Sequence, residues 1–411
     1  MKIAVAVLLL SLIAGTAFSQ TRTLDDYLNA ARRYNTALID YQNQLASLGY
    51  DSSKIRSTFL PKINFTTQAM IAPVIGGYGY DSAISNGALY SALVTASQDL
   101  FQGGNRDLQL AKLGAQRQSL ATALVINERD LFKSITSQYV TAYSDLTAIQ
   151  FTEESLRILD EQLLIVKELV NKAVYSQLDY LNLVIARNQQ HIAFLQARTQ
   201  YTTDLYKLNQ LAGITDTAYI TLPEPQLQKD TSTPLFQTLR ARQFILDSLS
   251  IEYDRSLLDW TYKPKFGWFA DAGLNTTDLR NANHNWGFSV GLNLSIPIYD
   301  GGQRYFEYEK FNLTQNTIAA RSRAFFIETN IGRMMLEDEL RSQDSLIGEY
   351  RKQIESIGEL LQYQKQLLRQ GTVKITDLLL TLNTLNMTRL SMRQSEIARL
   401  QTIIELNNIN K

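Results

Sequence analysis

Two different hydrophobic periods alternate along this chain. From Trp286 to Ile298 the even positions Trp286, Phe288, Val290, Leu292, Leu294, Ile296 and Ile298 are apolar. Gly287, Ser289, Gly291, Asn293 and Ser295 between them are small or polar. A period of two predicts a β-strand with one apolar and one wetted face. Phe266, Trp268, Ala270, Ala272 and Leu274 form a second such stripe, against Lys265, Gly267, Asp271, Gly273 and Asn275. The polar stretch 275–285 joins the two. Earlier, Ile63, Phe65, Ala69 and Ile71 lead into a glycine-rich loop at 73–87, and a returning strand is expected over 89–100. Each strand has about 10 to 13 residues, the length a tilted membrane strand requires.

Elsewhere the period is helical. Ile135, Ala142, Ile149, Leu156, Leu163 and Val170 recur every seven residues, as do Leu340, Ile347, Ile354, Leu361 and Leu368. A sustained seven-residue apolar repeat predicts helices that supercoil around partners. At about 1.5 Å per residue, a helix over 104–173 would span roughly 105 Å. Helices over 178–213 and 24–57 would span roughly 54 and 51 Å, so together they match the long one. In the second half, 302–370 gives roughly 104 Å, against roughly 95 Å for 234–261 plus 374–408. Two short helices therefore accompany one long helix, twice.

The chain is two copies of one plan. Leu100-Phe101-Gln102-Gly103-Gly104 is echoed by Ile298-Tyr299-Asp300-Gly301-Gly302 at an offset of 198, and the two heptad series, like Asp179 and Asp377, keep that offset. Phe59-Leu60-Pro61-Lys62 matches Tyr262-Lys263-Pro264-Lys265 at an offset of about 203. The five-residue difference falls where a loop of variable length is expected. The domain plan is a signal peptide at 1–19 and a first repeat at 20–213 with its β-hairpin at 61–101. An equatorial linker at 214–233 follows, then a second repeat at 234–411 with its hairpin at 264–299.

The signal peptide rests on Lys2, an apolar core from Ile3 to Ala14 and the small residues around Ala17-Phe18-Ser19. That core is shorter than the ~20 apolar residues of a membrane anchor, so a secreted chain starting near Gln20 is expected. Four amphipathic strands cannot close a barrel alone, and open strand edges are not tolerated in lipid. Subunits must therefore share a barrel: eight strands in a dimer, twelve in a trimer, sixteen in a tetramer.

Composition removes other classes. With 40 basic and 40 acidic residues the formal net charge is zero, which leaves no electrostatic case for nucleic acid. Cysteine is absent, excluding disulfides, thiolate metal sites and cysteine nucleophiles. The two histidines, His191 and His284, lie far apart in sequence, so neither a metal site nor a catalytic relay is expected. Glu153-Glu154 and Glu337-Asp338-Glu339 read as solvated helix faces, and Met334-Met335 as helix packing. No enzyme, metal or cofactor is expected.

The plan resembles the TolC-like outer-membrane efflux proteins over essentially the whole mature chain. The resemblance rests on Thr23-Leu24-Asp25-Asp26-Tyr27-Leu28, on the Leu-Pro-Lys before the first strand and on the two aromatic-x-Gly-Gly exits. Gly371-Thr372-Val373-Lys374-Ile375-Thr376-Asp377-Leu378-Leu379 completes it. It implies a mainly α protein with a membrane β-barrel. Long helical hairpins would form a periplasmic tunnel, and four strands per chain would contribute to a shared twelve-stranded barrel in a homotrimer. The implied function is outer-membrane efflux or type I secretion, as a passive conduit. Its implied partners are outer-membrane lipid, a periplasmic adaptor protein and an inner-membrane pump of the RND, ABC or MFS type. It further implies that Val174, Tyr175 and Ser176, with Gly371, Thr372 and Val373, form the adaptor-docking tip. Asp377 falls at a lumen-facing gate position, and Asp179 is its counterpart. One turn on, where related channels carry a second aspartate, this chain has Leu380. Their latching tyrosine and arginine correspond to Leu368 and Val373, so the gate is expected to be held by apolar contacts. The competing readings are a periplasmic adaptor, with one helical hairpin inserted into small β domains, and a structural coiled-coil protein. Neither accounts for two amphipathic β-hairpins.

Overall fold

The computed structural model describes residues 21–81, 84, 87–230 and 234–410. The expected signal segment and residues 231–233 of the expected linker lie outside them. Element order repeats: α1 (Leu24–Tyr34), α2 (Thr36–Thr58), β1 (Lys62–Ile71), β2 (Ala88–Leu100), α3 (Gly103–Asn171) and α4 (Gln177–Ala212). Then follow α5 (Leu239–Thr261), β3 (Lys265–Thr276), β4 (Trp286–Ser295), α6 (Gln303–Arg369) and α7 (Ile375–Ile409). The long helices α3 and α6 have 69 and 67 residues.

Four elements differ from the sequence reading. The helix expected from 234 begins at Leu239, after a 3-10 turn at Leu235–Gln237. The single helix expected over 24–57 is two, divided at Asn35, whose extended backbone ends α1. The Asn35 side chain accepts the amides of Ala37 at 3.0 Å and Leu38 at 3.2 Å, which starts α2. The last strand ends at Ser295 rather than Ile298. Pro297 has no N–H to give a ladder and biases Ile296 away from regular pairing. The polar connection between β3 and β4 contains a 3-10 turn, Leu279–His284, begun by Asp278 through its hydrogen bond from Arg280 N–H.

Two compact units divide the chain. One takes the chain up to Ile39, Val125–Leu239 and everything from Phe325 on; the other takes Asp40–Leu124 and Arg240–Ala324. Each draws on both repeats, because both long helices run through both units.

The second unit holds one antiparallel sheet in the order β1-β2-β3-β4. Lys62 faces Ser97 in the first hairpin. Displaced by 203 and 198 residues, Lys265 faces Ser295 in the second. The two hairpins thus share one register, and the difference in offset is taken up in the loop.

The first unit is helical and has two cores. One gathers Tyr27, Ala31, Ile135, Tyr139, Ala142, Tyr201, Leu205 and Leu208 with Ile220 and Leu222 of the connector after α4. Hydroxyls anchor that connector: Tyr201 donates to the Ile220 carbonyl at 2.5 Å, and Tyr139 to that of Pro223 at 2.8 Å. The other core joins Ile158, Leu159, Val166 and Leu183 to Ile357, Leu361, Leu368, Ile375, Leu378, Leu382 and Leu385. The heptad residues Ile135, Ala142, Ile149 and Leu156, and Ile347, Leu361 and Leu368, are buried. The seven-residue stripe is therefore spent largely within the chain.

Candidate functional site

Each long helix ends in the same hydrogen-bonded turn. After α3, Ala173 takes a left-handed conformation at φ 58°. Its N–H donates to Val170, and that of Val174 donates back to Leu169, both at 2.9 Å. After α6, Gly371 is left-handed at φ 74°. Its N–H donates to Leu368 at 3.0 Å and that of Thr372 to Leu367 at 3.1 Å. This pairing satisfies carbonyls that a helix end leaves open. Glycine tolerates positive φ without cost, whereas alanine pays for it.

The returning helices start differently. Ser176 caps α4: its Oγ receives the Asp179 N–H at 3.2 Å, while the Asp179 carboxylate accepts Ser176 N–H at 3.1 Å and its hydroxyl at 2.6 Å. This reciprocal pair is a capping box. In the second copy Lys374 stands at the cap and gives no side-chain bond. An ammonium only donates, so it cannot accept the open amides. Asp377 lies one turn in, exposed, with no reciprocal cap to hold its carboxylate.

The two turns touch. Tyr175 Oη donates to the Val373 carbonyl at 2.6 Å. Burial, aided by the charge of Asp179, raises the Tyr175 phenol above its usual range, so the hydroxyl remains a donor. A Cβ on Gly371 would lie 2.3 Å from Val174 Cγ1. Leu368 and Val373, expected from the resemblance to stand where a latch pair would be, are buried in the core beneath the turns. Val174, Ser176 and Thr372 are exposed. Leu380 is 67% exposed, on the face of α7 that also carries Asp377 and Met387.

Asp179 and Asp377 are thus equivalent by offset and different in setting. The spacing Ser176-x-x-Asp179 is the sequence signal for that difference. The Tyr175–Val373 bond has no local signal, because its partners are 198 residues apart.

The sheet is the second candidate surface. On one face the register aligns Phe65, Val94, Ala272 and Phe288, and beside them Ile63, Ala96, Ala270 and Val290. Phe288 is 85% exposed and Ile63 73%. The opposite face aligns Asn64, Thr95, Asp271 and Ser289. Among the described residues no helix is long and apolar enough to cross a membrane.

No family model and no curated protein matches the sequence. Solved structures do. CusC is 14% identical, with a TM-score of 0.76, over 94% of this chain and 91% of its own. The Campylobacter jejuni CmeC outer membrane channel is 11% identical, with a TM-score of 0.74, over 94% and 85%. The Neisseria gonorrhoeae MtrE outer membrane channel, solved in its open state, is 14% identical, with a TM-score of 0.73, over 94% and 88%. With its helical pairs and four-stranded sheet, the fold of this chain is that of the TolC-like outer-membrane channels.

Proposed function

We propose that this protein is one subunit of a trimeric outer-membrane channel-tunnel for efflux or type I secretion. The observation that carries the reading is the sheet, which exposes apolar side chains of β1 and β4, with Val94 of β2, on one face and aligns the polar row Asn64, Thr95, Asp271 and Ser289 on the other. β1 and β4 each pair on one side only. Such a sheet suits a bilayer only when its edges are closed by further copies, because unpaired backbone groups are costly in lipid. Three copies give twelve strands and an interior wide enough to be wet, whereas eight strands would fill with side chains. The fold shared with CmeC and MtrE, both outer membrane channels, supports the same location.

The helices need partners too. Leu178, Ile185 and Ile192 recur at seven-residue spacing on α4, with Leu181 and Leu195 three residues after Leu178 and Ile192, and all are exposed. A coiled-coil seam of this kind is covered by another helix. In this reading neighbouring subunits supply it, and the helical unit extends into the periplasm.

The hairpin turns then form the periplasmic end of the conduit. Val174, Tyr175, Ser176, Gly371, Thr372 and Val373 are the docking tip for a periplasmic adaptor, behind which stands an inner-membrane pump. Asp377, not tied back by a capping box, is the lumen-facing carboxylate; Leu380 on the same face supplies apolar closure. Asp179, its carboxylate engaged by Ser176, contributes to the gate chiefly by fixing the first turn of α4.

The test is the native mass of protein extracted from outer membrane in mild detergent, with detergent mass subtracted. Three chains are expected. One chain, or a species that needs no detergent, would overturn the channel reading. For the gate, Asp377→Ala is expected to lower cation preference and raise conductance, and unchanged currents would remove Asp377 from that role.

A further inference from the structure

The four strands contain four charged residues, and their positions are unequal. Lys62 opens β1, Lys265 opens β3 and Asp99 stands next to the end of β2. The register sets these three at one end of the sheet, where Lys62 faces Ser97, Asp99 faces Gly267 and Lys265 faces Ser295. Asp271 alone lies in the middle.

It stands in a row that is polar on every strand, Asn64, Thr95, Asp271 and Ser289. Both carboxylate oxygens are engaged from neighbouring strands. Thr95 Oγ1 donates to Oδ1 at 2.5 Å and Ser289 Oγ to Oδ2 at 3.2 Å. The side chain is therefore held across three strands rather than hanging free. The next row on this face ends in Gly273 and Gly287, and a Cβ on Gly287 would meet nothing within 4 Å. Nothing bulky from β4 screens the carboxylate there. A lone carboxylate on the lipid side would be expensive, whereas on the water side it acts as a fixed charge.

We infer that Asp271, repeated by threefold symmetry, forms a ring of three carboxylates at one height in the barrel interior and makes the barrel prefer cationic over anionic solutes. The inference rests on the trimeric-channel reading. It assigns a selecting element to the barrel itself, separate from the helical tip. Fixed charge in a narrow wet space raises the local concentration of counter-ions. The Debye length is about 10 Å at 0.1 M salt and about 3 Å at 1 M, so the preference is a low-salt property.

The experiment compares reversal potentials of purified wild-type, Asp271→Asn and Asp271→Glu channels in planar bilayers under a KCl gradient, at low and at high ionic strength. Asparagine keeps the size and the acceptor for Thr95, so the variant barrel is expected to assemble. Asp271→Asn should lower the potassium-to-chloride permeability ratio by about threefold at low salt, with little change at high salt, and Asp271→Glu should retain the wild-type ratio. An Asp271→Asn trimer that conducts with an unchanged ratio overturns this inference and leaves the channel reading intact. A wild-type protein that forms no conducting trimer overturns both.

Discussion

Tyr175 donates its phenolic hydrogen to the carbonyl of Val373, and the two residues are the same position in the two repeats, 198 apart. A duplicated chain has thus joined its two hairpin ends through equivalent residues, but in one direction only, because Val373 has no hydroxyl to return. The backbone bonds that close the two long helices match, from Val174 to Leu169 and from Thr372 to Leu367. Tyr175→Phe deletes this one donor and leaves the ring. A hydrogen bond of this type contributes about 1 kcal/mol. Thermal stability should change little, while the channel opens more often, which single-channel recording in planar bilayers would read as a higher open fraction. The phenol's raised pKa fixes the sign with pH. The bond's contribution is fully present below the ordinary tyrosine pKa of about 10 and is lost as pH rises through the higher folded value.

The two left-handed residues make opposite predictions. Ala173→Gly removes the cost of alanine at positive φ and should raise stability by about 0.5 to 1 kcal/mol. Gly371→Ala adds that cost and drives a methyl into Val174, so it should destabilise by about 1 to 3 kcal/mol. Trimming the neighbour in Gly371→Ala/Val174→Ala should recover the steric part but not the backbone part. Unfolding of the detergent-extracted protein, followed by circular dichroism, separates the three variants.

The fold was legible where a single period runs long enough to exclude the alternatives. The Phe288 and Ser289 alternation continues along β4, and the Ile135-to-Val170 heptad spans six positions, so both elements appear where expected. The duplication was legible because offsets of 198 and 203 agree among unrelated residue types, and the shared register of Lys62 with Ser97 and Lys265 with Ser295 follows them. The break at Asn35 was not legible, because helical residues continue on both sides and asparagine only acts as a cap once its side chain turns back. The compact units were not legible either. Repeats are read along the chain, whereas packing groups the ends of α3 and α6 with elements from the opposite repeat. At the tip, position could be inferred from offset, but the bond from Tyr175 could not, since it depends on two turns meeting in space.

The unequal caps give a test of whether Asp377 works because it is free. Lys374→Ser recreates the Ser176-x-x-Asp179 spacing in the second copy, so Asp377 should bend back to the cap amide as Asp179 does. A new capping box should stabilise the start of α7 by about 1 kcal/mol. It should also withdraw the carboxylate from the conduit, lowering cation preference in the same direction as Asp377→Ala. A stabilised protein with an unaltered reversal potential would show that the carboxylate's freedom is irrelevant to conduction.

A half-buried acid in the helical core, Asp145, makes stability fall as pH rises. Asp204 of α4 accepts Gln138 at 3.2 Å, Gln200 at 2.6 Å and Lys207 at 2.8 Å. Burial alone would raise its carboxyl, but hydrogen bonds from Lys207, Asp145 and the two glutamines together outweigh that and hold it below the usual range. Asp145 of α3 is pushed up to about 7, first by burial and then by Asp204 beside it. Asp145 therefore keeps its proton when folded at a pH where the unfolded chain, with a pKa of about 3.9, has lost it. Its stabilising contribution is complete below the unfolded value and disappears as pH rises through about 7. Asp145→Asn fixes the neutral form. The variant should match wild type in melting temperature below about pH 4 and exceed it above about pH 7, where wild type must hold a second charge against Asp204. Thermal melts of both proteins across that range would show the curves parting between those values. Curves that stay parallel would mean that Asp145 is ionised throughout and that Lys207 compensates both carboxylates.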